Sequence, residues 1–213
     1  GYLVQSLENP QRDAVINIIG TINLCQLCLK YNIKKIIYSN SGGASYGEPM
    51  NLPFTEEHLI HPLVPYGASK FAGEMYLYMY NKNHGLNYTS LRYGNVYGPR
   101  QDATGEGGVV AIFVDNIIKK KRLAIYGDGQ QTRDFIYVTD TVDATVKLCK
   151  CNNAIGKVVN VGSGKELQIK YIVEIIKSIM GHKKPIVYKE ARIGDVQRHF
   201  ADIKLAKQLI DFE

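Results

Sequence analysis

Lys34-Lys35-Ile36-Ile37-Tyr38-Ser39-Asn40-Ser41-Gly42-Gly43-Ala44-Ser45-Tyr46-Gly47 decides how this chain is read. A short apolar, β-rich run ends in small polar residues and glycine, which is the pattern of a buried parallel strand over Lys34 to Asn40 running into a loop. Upstream, Asn9-Pro10 opens a helical pattern to about Tyr31, with the proline at the first helical position. Downstream, Ser41 to Pro65 reads as one long loop, a kind that is usually functional in a compact domain. Pro65-Tyr66-Gly67-Ala68-Ser69-Lys70 then starts a helix that Gly85 closes after His84.

The same alternation continues. Asn87 to Tyr93 is expected as a strand, Gly94 to Gly108 as a loop and Val109 to Lys120 as a helix. Leu123 to Tyr126 and Phe135 to Val138 are expected as strands, and Thr139 or Asp140 as the cap of a helix Val142 to Lys150. Val158 to Val161, Gln168 to Met180 and Pro185 to Tyr188 follow as strand, helix and strand. Strands alternating with helices imply an α/β fold with a parallel sheet.

The chemistry-bearing residues cluster around the opening stretch. Tyr66 and Lys70 stand at i and i+4, on one helix face. An ammonium beside a phenol favours the phenolate, and a tyrosine with a lowered pKa is suited to take a proton from an alcohol near neutral pH. Ser41, at a strand end, can hydrogen-bond the same oxygen. The constellation predicts alcohol oxidation.

Composition excludes several classes. The 213 residues, 45% hydrophobic, can bury a sizeable core, and no apolar run approaches the ~20 residues of a membrane span. A net charge of +6 is moderate, and its dense part, Lys119-Lys120-Lys121-Arg122, suits the last turn of a helix. A nucleic-acid surface would need a broader basic face, so no nucleic-acid partner is expected. Cys25-x-x-Cys28 and Cys149-x-Cys151 lie in helical patterns without the turn residues of a zinc knuckle; neither a metal site nor disulfides are expected, in keeping with a cytoplasmic location.

Six motifs carry a resemblance that spans nearly the whole chain. They are Asn17-Ile18-Ile19-Gly20-Thr21, Ser41 to Gly47, Tyr66-x-x-x-Lys70, Leu91 to Arg100, Tyr126 to Phe135, and Arg192-Ile193-Gly194-Asp195. In these the chain resembles the extended short-chain dehydrogenases/reductases, the NAD-dependent epimerase/dehydratase group, and is most similar to UDP-glucose 4-epimerases. The resemblance implies a partial Rossmann-type doubly wound parallel sheet, spanning about residues 1–93, and a smaller α/β substrate domain, mainly residues 94–213 and interleaved with the first.

It also implies roles: Tyr66 as base, Ser41 as the group orienting the sugar hydroxyl, and Lys70 as the residue tuning Tyr66 and holding the nicotinamide ribose. Asn17, Ser39, Tyr93 and Gly94 match cofactor positions. Asn95, Arg133 and Arg192 match diphosphate contacts, Asp195 a uridine-ribose contact, Tyr126 a position beside the uracil, and His199 a residue bordering the sugar C2 substituent. NAD as cofactor, a nucleotide sugar as substrate and a homodimer are implied with them. The group's glycine-rich dinucleotide turn and the acid that follows its second strand are not found, so the sequence reads as a segment beginning midway through a nucleotide-binding domain. Dehydratases of the group carry an Asp-Glu pair where this chain has Gly42 and Gly43, which points to epimerisation rather than loss of water.

Overall fold

The computed structural model describes residues 3–104, 108–192 and 194–212. Gly1 and Tyr2, Gly105 to Gly107 in the expected loop, Ile193 of the last motif and Glu213 lie outside the described residues. The chain opens with α1 (Leu3–Glu8) and α2 (Pro10–Ala14), continues through a π-helical segment Val15–Ile19, and completes the helix as α3 (Gly20–Lys30). Asn9 caps α2 by accepting from Arg12 N–H at 3.0 Å, with Pro10 in the first turn.

β1 (Ile36–Ser41) is followed by α4 (Gly42–Tyr46), the long α5 (Pro65–His84) and β2 (Tyr88–Tyr93). β1, β2 and β7 (Lys157–Val161) form a parallel three-stranded sheet in the order β1-β2-β7. Helices cover both faces. On one, Cys25 and Leu77 from α3 and α5 pack on Tyr88; on the other, α7 (Val138–Lys150) and α9 (Lys204–Ile210) bring Ala144, Leu148 and Ala206 onto Leu91, Val159 and Val161. Such two-sided cover is what an all-parallel sheet requires, and it explains the near-continuous apolar strands.

A second core lies beyond this sheet. There α6 (Val109–Ile118) and α8 (Ile169–Ile179) pack on β4 (Ala124–Tyr126) and β6 (Phe135–Tyr137), burying Phe113, Ile125, Phe135 and Val173. β3 (Asn95–Tyr97) pairs in parallel with β6, and β4 with β9 (Val187–Lys189); β5 (Thr132–Arg133) pairs antiparallel with β8 (Leu167–Gln168). Lys35, just before β1, reaches the end of α7, where its Nζ donates to the carbonyls of Leu148 at 2.7 Å and Cys151 at 3.0 Å, complementing the negative end of the helix.

Element bounds shift from those read in the sequence, as β1 does from Lys34–Asn40 to Ile36–Ser41, and three further differences stand out. The segment after Ser41 is not all loop: Ser41 Oγ accepts from Ala44 N–H at 3.3 Å and so caps the helical turn α4. The stretch after Gly94 contains β3. Finally, α7 begins at Val138 with no side-chain cap, because β6 runs directly into it and leaves Thr139 and Asp140 in the first turn.

Candidate functional site

Two adjoining cavities, about 140 and 300 Å³, share Tyr66, Asn95, Arg133 and Asp195 as walls. The smaller adds Ser41, Tyr93, Gly94 and His199; the larger adds Tyr126 and Arg192. Tyr66, in the first turn of α5, therefore stands where the two meet. Lys70, Asn17 and Ser39 do not line either cavity: Ser39 is exposed on β1, and Asn17 lies in the π-helical segment.

Ser41 is placed twice over. Its N–H donates to Asn40 Oδ1 at 2.8 Å and its hydroxyl oxygen accepts from Ala44, so its own proton remains for a ligand. Behind it runs a buried network that sequence reading missed. Asn40 Nδ2 donates to Glu74 Oε2 at 2.8 Å, Ser90 Oγ donates to the same oxygen at 2.6 Å, and Arg92 pairs with Glu74 at 2.5 Å. Arg92 Nη1 also donates to Tyr46 Oη at 3.0 Å, and Tyr46 donates to Asn160 Oδ1 at 2.7 Å; burial pushes the Tyr46 phenol up to about 12, keeping it a neutral donor. One signal was legible: Glu74 is i+4 from Lys70 and i+8 from Tyr66, an acid on the chemical face of the helix.

Lys70 Nζ lies over the Tyr38 ring, 4.5 Å from its centroid, while Tyr38 Oη donates to the Lys70 carbonyl at 3.1 Å. Burial raises the pKa of Tyr66, and the charge of Asp13 raises it further; burial lowers that of Lys70 against the opposing pull of Asp13. The expected depression of Tyr66 by Lys70 is thus not what this geometry gives: desolvation and a carboxylate win. Lys70 Nζ has no hydrogen-bond acceptor among the described residues, which leaves its donors for ligand hydroxyls, as a nicotinamide ribose would require.

His199 is 1% exposed, its ring 5.3 Å from that of Phe54, and neither ring nitrogen has a partner. Burial, aided by Arg133, pushes its pKa down to about 3, so the ring is neutral. It lies against the turn after Ser41: a side chain at Gly42 would meet His199 Nε2 at 3.3 Å and the Tyr93 carbonyl at 3.2 Å, whereas at Gly43 the nearest atoms are those of His199 at 3.9 Å.

On the larger cavity Arg133 is held by an ion pair with Asp195 and by the Val196 carbonyl at 2.7 Å. The Arg192 guanidinium stacks over Tyr126, 4.0 Å from the ring centroid, and holds its phenol below the usual range. A cavity walled by an aromatic ring and two guanidinium groups suits a planar base joined to phosphates. Tyr93 is fixed by a 2.8 Å bond to Thr145, and Gly94 packs on the Asp134 carbonyl so closely that a Cβ would stand 2.8 Å from it. Asp134 is fully buried and accepts from Ser163 and Gly164 N–H and from Ala201 N–H, tying this wall to the C-terminal segment. No group of His, Cys, Asp and Glu suited to hold a metal occurs among the described residues.

The family described as NAD dependent epimerase/dehydratase matches residues 1–162. A Methanocaldococcus jannaschii protein, whose name assigns it provisionally as a UDP-glucose 4-epimerase, is 47% identical over 96% of this chain, which spans 66% of that protein's length. Among solved structures, a UDP-glucose 4-epimerase of Thermotoga maritima with UDP-glucose superimposes with a TM-score of 0.96 at 41% identity, over all of this chain and 69% of its own. A UDP-N-acetylglucosamine 4-epimerase of Methanobrevibacter ruminantium, in complex with UDP-N-acetylmuramic acid, gives 0.94 at 35% identity, over all of this chain and 68% of its own.

Proposed function

The chain belongs to the NAD-dependent epimerase/dehydratase family, and from that premise we propose that the protein carrying it is a nucleotide-sugar 4-epimerase of the UDP-glucose/UDP-galactose type. The observation that carries the reading is Tyr66 at the junction of a small cavity holding Ser41 and a larger one walled by Tyr126, Arg133 and Arg192. The first suits a sugar ring, the second a nucleoside diphosphate.

Tyr66 takes the proton of the sugar O4 and later returns it, while Ser41, with its oxygen engaged by Ala44, donates to O4 and orients it. NAD, when bound, supplies the hydride acceptor and donor at C4, and Lys70, Tyr93 and Gly94 are the residues that would hold its nicotinamide end. With Gly42 and Gly43 at the strand end, neither of those positions brings an acid to expel a hydroxyl, which supports epimerisation. Asn95, Arg133 and Arg192 serve the diphosphate, Asp195 the ribose and Tyr126 the base.

His199 lines the smaller cavity from the turn side as a bulky neutral ring, which supports hexoses without an N-acetyl group at C2. Arg133, the cation of that cavity, is already paired with Asp195, which disfavours a sugar carboxylate there. A homodimer is proposed through the helices that leave Val15, Ile16, Ile19, Leu24 and Tyr78 exposed; sedimentation at micromolar concentration reads it directly.

Conversion of UDP-galactose to UDP-glucose without added reductant is the assay. Tyr66→Phe is expected to lower turnover ~10²–10⁴-fold, the usual weight of a general acid–base group; a loss under about fivefold would remove Tyr66 from that role. His199→Ser should narrow the preference for UDP-galactose over its N-acetyl form, and equal kcat/KM on both in the unaltered protein would end the substrate reading.

A further inference from the structure

Asp13 has no part in the roles assigned so far, yet it is a carboxylate only 7% exposed on α2, beside the first turn of α5. Ser69 Oγ donates to its Oδ2, and Asn17 Nδ2 donates to its Oδ1 at 3.0 Å. Asn17 Nδ2 also reaches Ser69 Oγ at 3.1 Å, and Ser69 Oγ lies 3.1 Å from the Tyr66 carbonyl. The π-helical segment Val15–Ile19 gives Asn17 this reach, an extra residue in the turn of the kind that gathers at functional sites. Two hydrogen bonds orient the carboxylate, but no arginine or lysine forms an ion pair with it among the described residues. A buried charge left without a cation is costly, and Lys70, the residue after Ser69, is a half-buried cation with no carboxylate in an ion pair among the described residues.

We propose that Asp13 is a positioning residue for the Tyr66–Lys70 pair: through Ser69 it anchors the first turn of α5 to α2, and its charge balances the Lys70 ammonium. The inference rests on the reading in which those two residues serve oxidation at the sugar C4. Tyr66 has Lys70 one turn on along its own helix, Asp13 from α2, Tyr38 from β1, and Arg133, Asp195 and His199 among the walls of the shared cavity. Lys70 is faced by Asp13 and by the Tyr38 ring; Glu74, one turn on, is committed to Arg92. Asp13 acts on both members of the pair, in the direction that keeps each protonated.

Asp13→Asn removes the charge and keeps an acceptor; Ser69→Ala removes the anchor and keeps the charge. Lys70 is followed by NMR of the reductively ¹³C-methylated protein, its signal assigned by its loss in Lys70→Arg. Asp13→Asn should move the Lys70 titration down by about one unit or more, as loss of a neighbouring opposite charge does. The kcat/KM profile should shift as a whole to the acid side. Ser69→Ala should lower kcat with the Lys70 titration in place. An unmoved Lys70 titration in Asp13→Asn would overturn the proposal. If Asp13→Asn does not fold, Asp13→Asn with Lys70→Met, which removes both charges, should restore folding, and failure to do so would overturn the proposal as well. The titration needs no substrate, so a protein inactive on UDP-galactose whose Lys70 still responds to Asp13 would refute the epimerase reading alone.

Discussion

Two arginine–carboxylate pairs sit within one chain and do opposite things. Arg92 and Glu74 are 4% and 0% exposed, and Asn40, Ser90, Tyr46 and the Glu56 carbonyl hydrogen-bond to them. Arg133 and Asp195 are 13% and 29% exposed and form walls of both cavities. The first pair is saturated and fixes the strand end on which Ser41 stands. The second keeps a face toward the cleft, where a phosphate or a ribose hydroxyl can join it. What separates the two pairs is not the kind of contact but how much of each group's hydrogen-bonding capacity the protein itself uses.

The sharpest way to break this distinction is Glu74→Gln. It leaves the Arg92 guanidinium buried without its counter-ion, and a loss of about 3–5 kcal/mol is expected by urea unfolding. The double change Glu74→Leu with Arg92→Met should recover most of that loss, since it removes both charges. A single-variant cost below about 1 kcal/mol would erase the difference between the pairs.

His199, between the two regions, gives the next effect. Its folded pKa of about 3 lies below the ordinary histidine value of about 6.5, so the unfolded chain binds the proton first. Its contribution is full above about pH 6.5 and is lost as pH falls toward 3, at about 1.4 kcal/mol per pH unit. Between pH 7 and 5 the unfolding free energy should drop by about 2 kcal/mol, and His199→Leu should flatten that slope. A slope unchanged in the variant would mean that His199 is protonated in the folded protein.

Asp195→Asn should show the smallest cost to the fold, under about 1 kcal/mol for a partly exposed pair. Its effect should appear in binding, with KM for the nucleotide sugar raised about tenfold, the size of one lost charged hydrogen bond. A stability loss matching that of Glu74→Gln would make the two pairs equivalent after all.

The parallel α/β architecture was legible because strands covered on both faces leave apolar runs, and the helices announce themselves through Pro10, Pro65 and Gly85. Ser41, Tyr66 and the residues from Asn95 to Asp195 were legible as motifs, and the structure brings them around one cleft. Asn17 was legible as a position, but its engagement with Asp13 and Ser69 depends on a π-helical turn that periodicity does not reveal. The Glu74 network escaped because its members lie on five elements and only the folded sheet brings them together. The electrostatics of Tyr66 escaped for a related reason: spacing shows the lysine i+4 away, whereas burial and Asp13 act through tertiary packing.

The turn after Ser41 has a consequence for how readily this scaffold could acquire a different reaction. Gly67 is closed to change, since any side chain there would collide with the Ala44 carbonyl, and Gly42 is hemmed in by Tyr93 and His199. Gly43 has ordinary van der Waals clearance and lines the smaller cavity. A Cβ fits there without moving a neighbour, so under the proposed function this is the position of the family's Asp-Glu pair with room to begin an acidic side chain. Gly42, the other position of that pair, has tighter clearance, so gaining both acids would ask the Tyr93 carbonyl and His199 to give by a few tenths of an ångström.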